Sequence, residues 1–299
     1  MRLQPPALAR SAFDTSPDER AEDGLVARLL ADPTTRVLRV NGDRAPAVGT
    51  RLLWEAPDAV TDAAEWGFLG RAGDGSARLV AAVEPPRSSD GRDDDGWVSL
   101  RMVGGDLSDE DAGALVTAVS LARWFTDFRF CPRCGSPAPL RAAGWSRLCS
   151  GCGRQQFPRT DPAVIVAVRD AANERLLLGQ NAAWAAQNRF STFAGFVEAG
   201  ESLETAVRRE VAEEAGVVVD ELSYRGSQAW PYPRSLMLGF HAVAEDAAPA
   251  RPDGEEITEV RWFTRAEIAS SLAGTGPVAL PGSASIAHRL ITDWCEEDE

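Results

Sequence analysis

Between Gly195 and Val217 the chain reads GFVEAGESLETAVRREVAEEAGV and sets Glu198, Glu201, Glu204, Glu210, Glu213 and Glu214 within seventeen positions. Glu210 and Glu214 stand four apart, which places them on one helix face with Glu213 beside them. Like charges at that spacing repel and weaken a bare helix. A divalent cation reverses the sign of that interaction, because hard ions such as Mg²⁺ take oxygen ligands from a few carboxylates together with substrate phosphates. By composition alone such a helix is more often a solvated face, since Glu favours helices. The order of the residues decides between the two readings.

A second set of potential ligands lies upstream. Cys131, Cys134, Cys149 and Cys152 form C-x2-C, fourteen residues, C-x2-C, while Cys295 stands alone near the C-terminus. Each C-x-x-C turn lets two thiolates point at one ion, and two such turns complete a tetrahedron around Zn²⁺. Four sulfurs leave no open position, so a structural role is expected. Nucleic-acid binding is the functional rival, as zinc ribbons are often used for it.

These groups need elements to hold them. Ser202 is a suitable N-cap. Leu203, Ala206, Val207, Val211 and Ala215 recur at steps of three and four as one buried stripe, and Gly216 closes the helix. The apolar run Ala163–Val168 predicts a central strand, with further strands at Arg175–Gly179, Val217–Gly226, Leu236–Val243 and Ile257–Phe263. Ser191–Ala194 leads into the glutamate loop, and helices are expected over Thr264–Ser271 and from Ser285 to about Trp294. This mixed order fits an α/β/α sandwich over residues 158–299. A zinc ribbon (129–157) precedes it, and before that a smaller N-terminal α/β domain (1–128). In the latter, strand-like runs occur at Arg36–Val40, Thr50–Trp54, Glu65–Leu69, Arg78–Val83 and Trp97–Arg101. Ser108 and Asp111 open a helix leading to the cysteines. Glu84–Asp95 reads as a polar surface loop. No catalytic constellation stands out in this first domain, so a scaffold or dimerisation role is its default.

The composition narrows the classes. With 45 acidic and 31 basic residues the net charge is −14, which argues against broad electrostatic binding to nucleic acid or anionic membrane and leaves room for a local basic groove. No apolar run approaches the roughly 20 residues of a membrane span, and MRLQPPALARSAFD lacks the apolar core of a secretory signal. A cytoplasmic protein is expected.

Residues 195–217 resemble the Nudix box, a glycine, five residues, Glu, seven residues, Arg-Glu, an aliphatic, any residue, Glu-Glu, any residue, Gly, an aliphatic. Gly195, Glu201, Arg209, Glu210, Val211, Glu213, Glu214, Gly216 and Val217 fill every fixed slot. The resemblance implies a hydrolase of nucleoside diphosphates linked to another group. Downstream, Ser227-Gln228-Ala229-Trp230-Pro231-Tyr232-Pro233-Arg234-Ser235 is expected to form a stiff loop, because its prolines do not suit a central strand. It resembles the SQPWPFPxS signature of NADH pyrophosphatases, with Ala229 in place of Pro and Tyr232 in place of Phe. The order of domain, four-cysteine ribbon, box and signature is similar to that family.

The family resemblance implies hydrolysis of the pyrophosphate of NADH or NAD⁺ to AMP and nicotinamide mononucleotide, and removal of NAD caps from RNA through the same bond. It implies Mg²⁺ or Mn²⁺ held by Glu210, Glu214, Glu256 and the backbone carbonyl of Ala194. Glu213 or Glu214 would be the general base. Phe157 and Phe196 would sandwich a base or nicotinamide, one ring coming from the partner subunit of a homodimer. The loop Ser227–Ser235 and Ala287 would contact substrate. Arg209 is expected to orient Glu201 or a helix glutamate, and His241 and His288 to be structural. Two other readings compete: an ADP-ribose or general dinucleotide pyrophosphatase, and a non-catalytic nucleotide- or RNA-binding module.

Overall fold

The computed structural model describes residues 5–11, 14–83, 96–245 and 250–297. The chain divides into two compact units, one of Arg10–Thr160 with Pro231–Arg234, the other of Met1–Ala9, Asp161–Trp230 and Ser235–Glu299. The polar segment expected at Glu84–Asp95 lies outside the described residues.

In the first unit, α1 (Leu25–Leu30) is followed by β1 (Arg36–Val40), β2 (Arg44–Val48), β3 (Arg51–Leu52), β4 (Ala63–Arg71), β5 (Ala77–Val83) and β6 (Trp97–Ser99). They form two small sheets in the orders β1-β5-β4 and β3-β2-β6. The expected strand over Trp97–Arg101 ends early: Ser99 caps α2 (Leu100–Val103), its side chain accepting the Arg101 amide. The hydroxyl also donates to Asp43 at 2.6 Å. Helix α3 (Asp109–Asp127) begins as its sequence predicts, with Ser108 Oγ accepting the Asp111 N–H at 3.1 Å. The ribbon follows as β7 (Leu140–Arg141), β8 (Ser146–Leu148) and β9 (Gln155–Gln156) in that order.

Arg147 on β8 is only 2% exposed. It donates to Ala138 O and to Phe125 O, both at 2.7 Å, and its guanidinium lies 5.2 Å from the Trp124 ring. Phe125 sits in the last turn of α3, where a cation faces unpaired carbonyls and the negative end of the helix dipole. One buried arginine thus ties the ribbon to that helix.

The second unit is built on β10 (Asp161–Arg169), whose alternation assigns its two faces. Val164, Val166 and Val168 pack against α4 (Leu203–Ala215) through Ala206, Val207, Val211 and Ala215. Ala163, Ile165 and Ala167 face the opposite layer, with Ile268 on α5 (Arg265–Leu272) and Leu290, Ile291 and Trp294 on α6 (Ile286–Glu296). Since successive strand side chains point to opposite faces, a continuous apolar run needs an apolar cover on both sides. Full burial of Val207 and Val211 contributes about 1.5–3 kcal/mol each. The sheet order is β13-β14-β10-β11-β15, with β12 (Phe193–Phe196) also paired to β10; β11 is Arg175–Asn181, β13 Val219–Trp230, β14 Ser235–Ala244 and β15 Ile257–Thr264. The α/β/α sandwich is the architecture expected from the sequence.

One expectation is corrected. The signature segment Ser227–Ser235 is not a single stiff loop, because β13 continues through Ser227, Gln228, Ala229 and Trp230, paired to Leu238, Met237, Leu236 and Ser235 of β14. Only Pro231–Arg234 forms the turn. β13 is an edge strand, and both prolines sit beyond its last pair, where no ladder N–H is needed.

His241 on β14 is 7% exposed and donates from Nε2 to Leu290 O at 3.0 Å, which fixes the tautomer. Burial, with a smaller contribution from the Arg225 charge, lowers its pKa to about 4. A depressed histidine leaves the unfolded chain to take up the proton first. Stability contributed by neutral His241 is therefore complete above about pH 6.5 and is lost as pH falls toward about 4, by up to about 3 kcal/mol. Denaturant titrations of wild type and His241→Gln across that window should converge in acid; parallel curves would refute the assignment.

Candidate active site

Helix α4 starts at Ser202, whose Oγ accepts the Thr205 N–H at 3.2 Å, and ends at Gly216 with φ 65°. That left-handed residue stops the helix one position after Ala215. The loop before it is fixed by Arg209. Its Nε and Nη2 donate to the two oxygens of Glu201 at 2.9 Å, and Nη2 also donates to Phe196 O at 2.9 Å. Nη1 donates to Glu210 at 2.8 Å and Glu213 at 3.1 Å. The bidentate pair and the Glu198 amide hold the Glu201 carboxyl down to about pKa 2, and the Arg209 pKa is raised in return. Arg209 is the orienting residue expected, serving Glu201 and two of the four helix glutamates, Glu210 and Glu213, at once.

Glu210 and Glu214 differ from their exposed neighbours. A Cβ on Gly195 would lie 1.9 Å from Glu210 Oε1, so glycine at the head of the box is what lets the loop backbone approach the carboxylate. Burial raises the Glu210 pKa against the pull of Arg209. Glu214 is 5% exposed, and among the described residues its Oε2 has no hydrogen-bond partner. Burial first, then the charges of Glu256 and Glu210, raise its pKa to about 8, with a backbone hydrogen bond from Ala194 opposing. A buried carboxylate with a bare oxygen and acidic neighbours is unfavourable unless a proton or a cation joins it. The donor set is all oxygen, which fits Mg²⁺ or Mn²⁺.

Glu256 comes from a different element and is held from two sides. Asp253 Oδ1 accepts the amides of Glu255, Glu256 and Ile257 at 2.7–3.0 Å. Asn181 Nδ2 donates to Glu256 Oε1 at 3.2 Å, and Ala182 N donates to Glu256 O at 2.9 Å. Glu210, Glu256, Ala194, Gly195, Phe196, Glu198, Arg209 and Ser235 line one open cleft of about 440 Å³, floored by Ala163 and Met237. Phe196 is 54% exposed there. The sequence reading missed Glu198 and Asn181. Glu198 was legible as a box-loop carboxylate, whereas nothing in the sequence links Asn181 to a residue 75 positions away.

Other expected contacts fall elsewhere. Ala287 is 2% exposed within the α6 core layer. Gln228 is 1% exposed; its Oε1 accepts the Leu8 amide at 3.2 Å and its Nε2 donates to Ala284 O at 3.0 Å. Trp230 packs on the same core layer. Pro231, Tyr232, Pro233 and Arg234 belong to the other unit. There the Tyr232 hydroxyl, the group that distinguishes it from the usual Phe, donates to Asp43 at 2.9 Å, and Arg101 lies 4.2 Å over its ring. Phe157 is also in that unit and is 49% exposed.

The four cysteine sulfurs lie within 4.8 Å of one another, with Cys131–Cys152 at 3.7 Å and Cys134–Cys149 at 3.4 Å. Tetrahedral Zn–S bonds of about 2.3 Å place sulfurs roughly 3.8 Å apart, so the spacing fits zinc. The Ser136 amide and hydroxyl lower Cys134 to about pKa 6, toward the thiolate that binds metal. Among the described residues the glutamates form no equally tight set, as suits an ion whose coordination includes substrate phosphates.

Three stretches of the chain match known families. Residues 159–280 match the NUDIX domain, 127–157 the NADH pyrophosphatase zinc ribbon domain, and 23–124 the NADH pyrophosphatase-like rudimentary NUDIX domain. The first domain is thus a reduced copy of the same family; its helix α3 carries none of the Arg-Glu and Glu-Glu pairs of α4, which is why its sequence shows no chemistry. The chain is 38% identical over 306 residues to the NAD-capped RNA hydrolase NudC of Mycobacterium tuberculosis H37Rv, covering 97% of this chain and 96% of that protein. The NAD-capped RNA hydrolase NUDT12 of Homo sapiens is 37% identical over 198 residues, covering 63% and 42% respectively. By its box, its ribbon and its end-to-end similarity to the mycobacterial protein, the chain belongs to the NADH pyrophosphatase family of Nudix hydrolases.

Proposed function

We propose that the protein hydrolyses the pyrophosphate bond of NADH or NAD⁺ to AMP and nicotinamide mononucleotide, and removes NAD caps from RNA by breaking the same bond. The observation that carries this reading is the buried Glu214 carboxylate, one oxygen of which has no partner among the described residues, set beside Glu210 and Glu256, which line a cleft bearing an exposed aromatic ring. Glu210, Glu214, Glu256 and the Ala194 carbonyl would hold Mg²⁺ or Mn²⁺, which supplies Lewis-acid polarisation of the pyrophosphate. Water's oxygen bonds to one phosphorus, the bridging P–O bond breaks, and the bridging oxygen leaves on the other phosphate. A carboxylate takes the water's proton. Glu214 suits that role better than Glu213, whose carboxylate is paired with Arg209 and side chain 60% exposed.

Phe196 would stack on a base or nicotinamide, and Ser235 would contact substrate at the cleft wall. Phe157 would act on the cleft of a partner subunit in a homodimer. Ser227, Gln228, Ala229, Trp230 and Ala287 would shape the wall from behind, while Pro231, Tyr232, Pro233 and Arg234 form the turn of the signature. The domain limits 1–128, 129–157 and 158–299 and a cytoplasmic location complete the reading; among the described residues no helix is long and apolar enough to cross a membrane.

The test is chromatographic detection of AMP after incubation with NADH, ADP-ribose or NAD-capped RNA in Mg²⁺ or Mn²⁺. NADH and capped RNA should be cleaved. Efficient cleavage of ADP-ribose with no AMP from NADH would overturn the reading.

A further inference from the structure

Charge is unevenly spread along this acidic chain. Residues 128–160 carry Arg129, Arg133, Arg141, Arg147, Arg154 and Arg159 and no Asp or Glu, whereas the whole chain is −14. Six positive charges in that segment leave −20 on the rest. Four thiolates around one Zn²⁺ would return only two negative charges to the ribbon, so a surplus of about four remains. Arg147 is buried and already engaged, and Arg141 shares a cleft with Glu22, Asp23 and Glu65. Arg129, Arg133, Arg154 and Arg159 are exposed, and among the described residues none of the four makes an ion pair. Arg133 lies inside the first cysteine turn and Arg154 just after the second, and the paired sulfurs bring those turns together.

A second observation selects the kind of partner. Phe130, next to Arg129 and bridged to Pro137, is 63% exposed, and Leu148 is 39% exposed. Unpaired guanidinium groups beside an exposed ring match single-stranded nucleic acid, whose phosphates take the charge and whose unstacked bases take the ring. An acidic protein face would match the charges but offer no row of unstacked bases for the ring.

We propose that the zinc ribbon is a binding surface for single-stranded RNA, with Arg129, Arg133, Arg154 and Arg159 on phosphates and Phe130 stacked on a base. It rests on the proposed action on capped RNA, in which the ribbon would hold the RNA body while free NADH makes no use of it.

The experiment measures binding of a short oligoadenylate with a 5′-hydroxyl, which is not a substrate, to the full-length protein over a range of KCl concentrations. Four phosphate contacts give a slope of log K against log salt of about −2.8. Arg133→Gln/Arg154→Gln should reduce its magnitude by about 1.4 and weaken binding about 25-fold at 0.1 M salt. Phe130→Ala should weaken binding with the slope unchanged. Zinc content, melting temperature and NADH turnover should stay at wild-type values in these variants, while KM for capped RNA rises. Equal affinity and slope in wild type and the double arginine variant would overturn the proposal. So would a change in sedimentation with RNA binding unaltered, which would assign the arginines to an acidic face of a second copy. A protein that binds oligoadenylate as described but yields no AMP from NADH would retain the ribbon surface and lose the proposed reaction.

Discussion

Glu214→Gln is expected to lower kcat on NADH by about 10²–10³-fold, the range for losing a proton acceptor, while the fold is kept. Glutamine preserves the volume of a side chain that is 5% exposed and removes the charge that burial opposes. The metal-free protein should therefore gain stability from the change, and the gain has a defined pH dependence. The Glu214 carboxyl is raised from 4.5 to about 8, so the folded state retains a proton that the unfolded chain has released. That contribution is complete below about pH 4.5 and is lost as pH rises toward about 8, by a few kcal/mol at most. Melts of wild type without metal should approach those of Glu214→Gln in acid and fall below them near pH 8. Added Mg²⁺ should close the gap for wild type alone, because a cation favours the charged carboxylate. Turnover within threefold of wild type in Glu214→Gln would remove this residue from the site. An unchanged pH profile would mean that its burial is relieved by something other than an ion.

Removing zinc is expected to have the larger effect on stability. The ribbon has strands of two, three and two residues, too little apolar surface to fold by itself. In small zinc domains metal binding supplies on the order of 10 kcal/mol of apparent folding free energy. Cys131→Ser leaves three sulfurs, and Cys131 is 2% exposed. Loss should spread from the ribbon through the rest of the first unit, because Arg147 links β8 to the end of α3 through Phe125 O. We expect one zinc per chain in the wild type, less than a tenth of that in Cys131→Ser, and a melting temperature lower by about 10 °C or more for that unit. A melting temperature within two degrees of wild type, with zinc absent, would show that the ribbon holds its shape without the ion.

Much of this protein can be read without coordinates wherever the signal is local. The spacing of Glu210, Glu213 and Glu214 follows from helix periodicity, and Ser202 and Gly216 mark the ends because capping depends on a few neighbouring residues. The paired C-x-x-C turns and the apolar run Ala163–Val168 are equally local. Where local rules were extended too far, the edge position of β13 prevailed: strand pairing to β14 runs through Trp230, and the prolines fall just outside it.

Short-range spacing carries the family, the four thiolates of the zinc site and the order of the layers. Which carboxylate is stripped of water is set by packing. Burial of Glu214, the approach of Gly195 to Glu210, and the Asn181 contact to Glu256 depend on residues from four separate segments meeting at one end of a sheet. Packing also puts Ala287 and Gln228 in the interior and gives the Tyr232 hydroxyl to Asp43. Desolvation and long-range hydrogen bonds arise from packing between distant segments, and no spacing rule along the chain contains them.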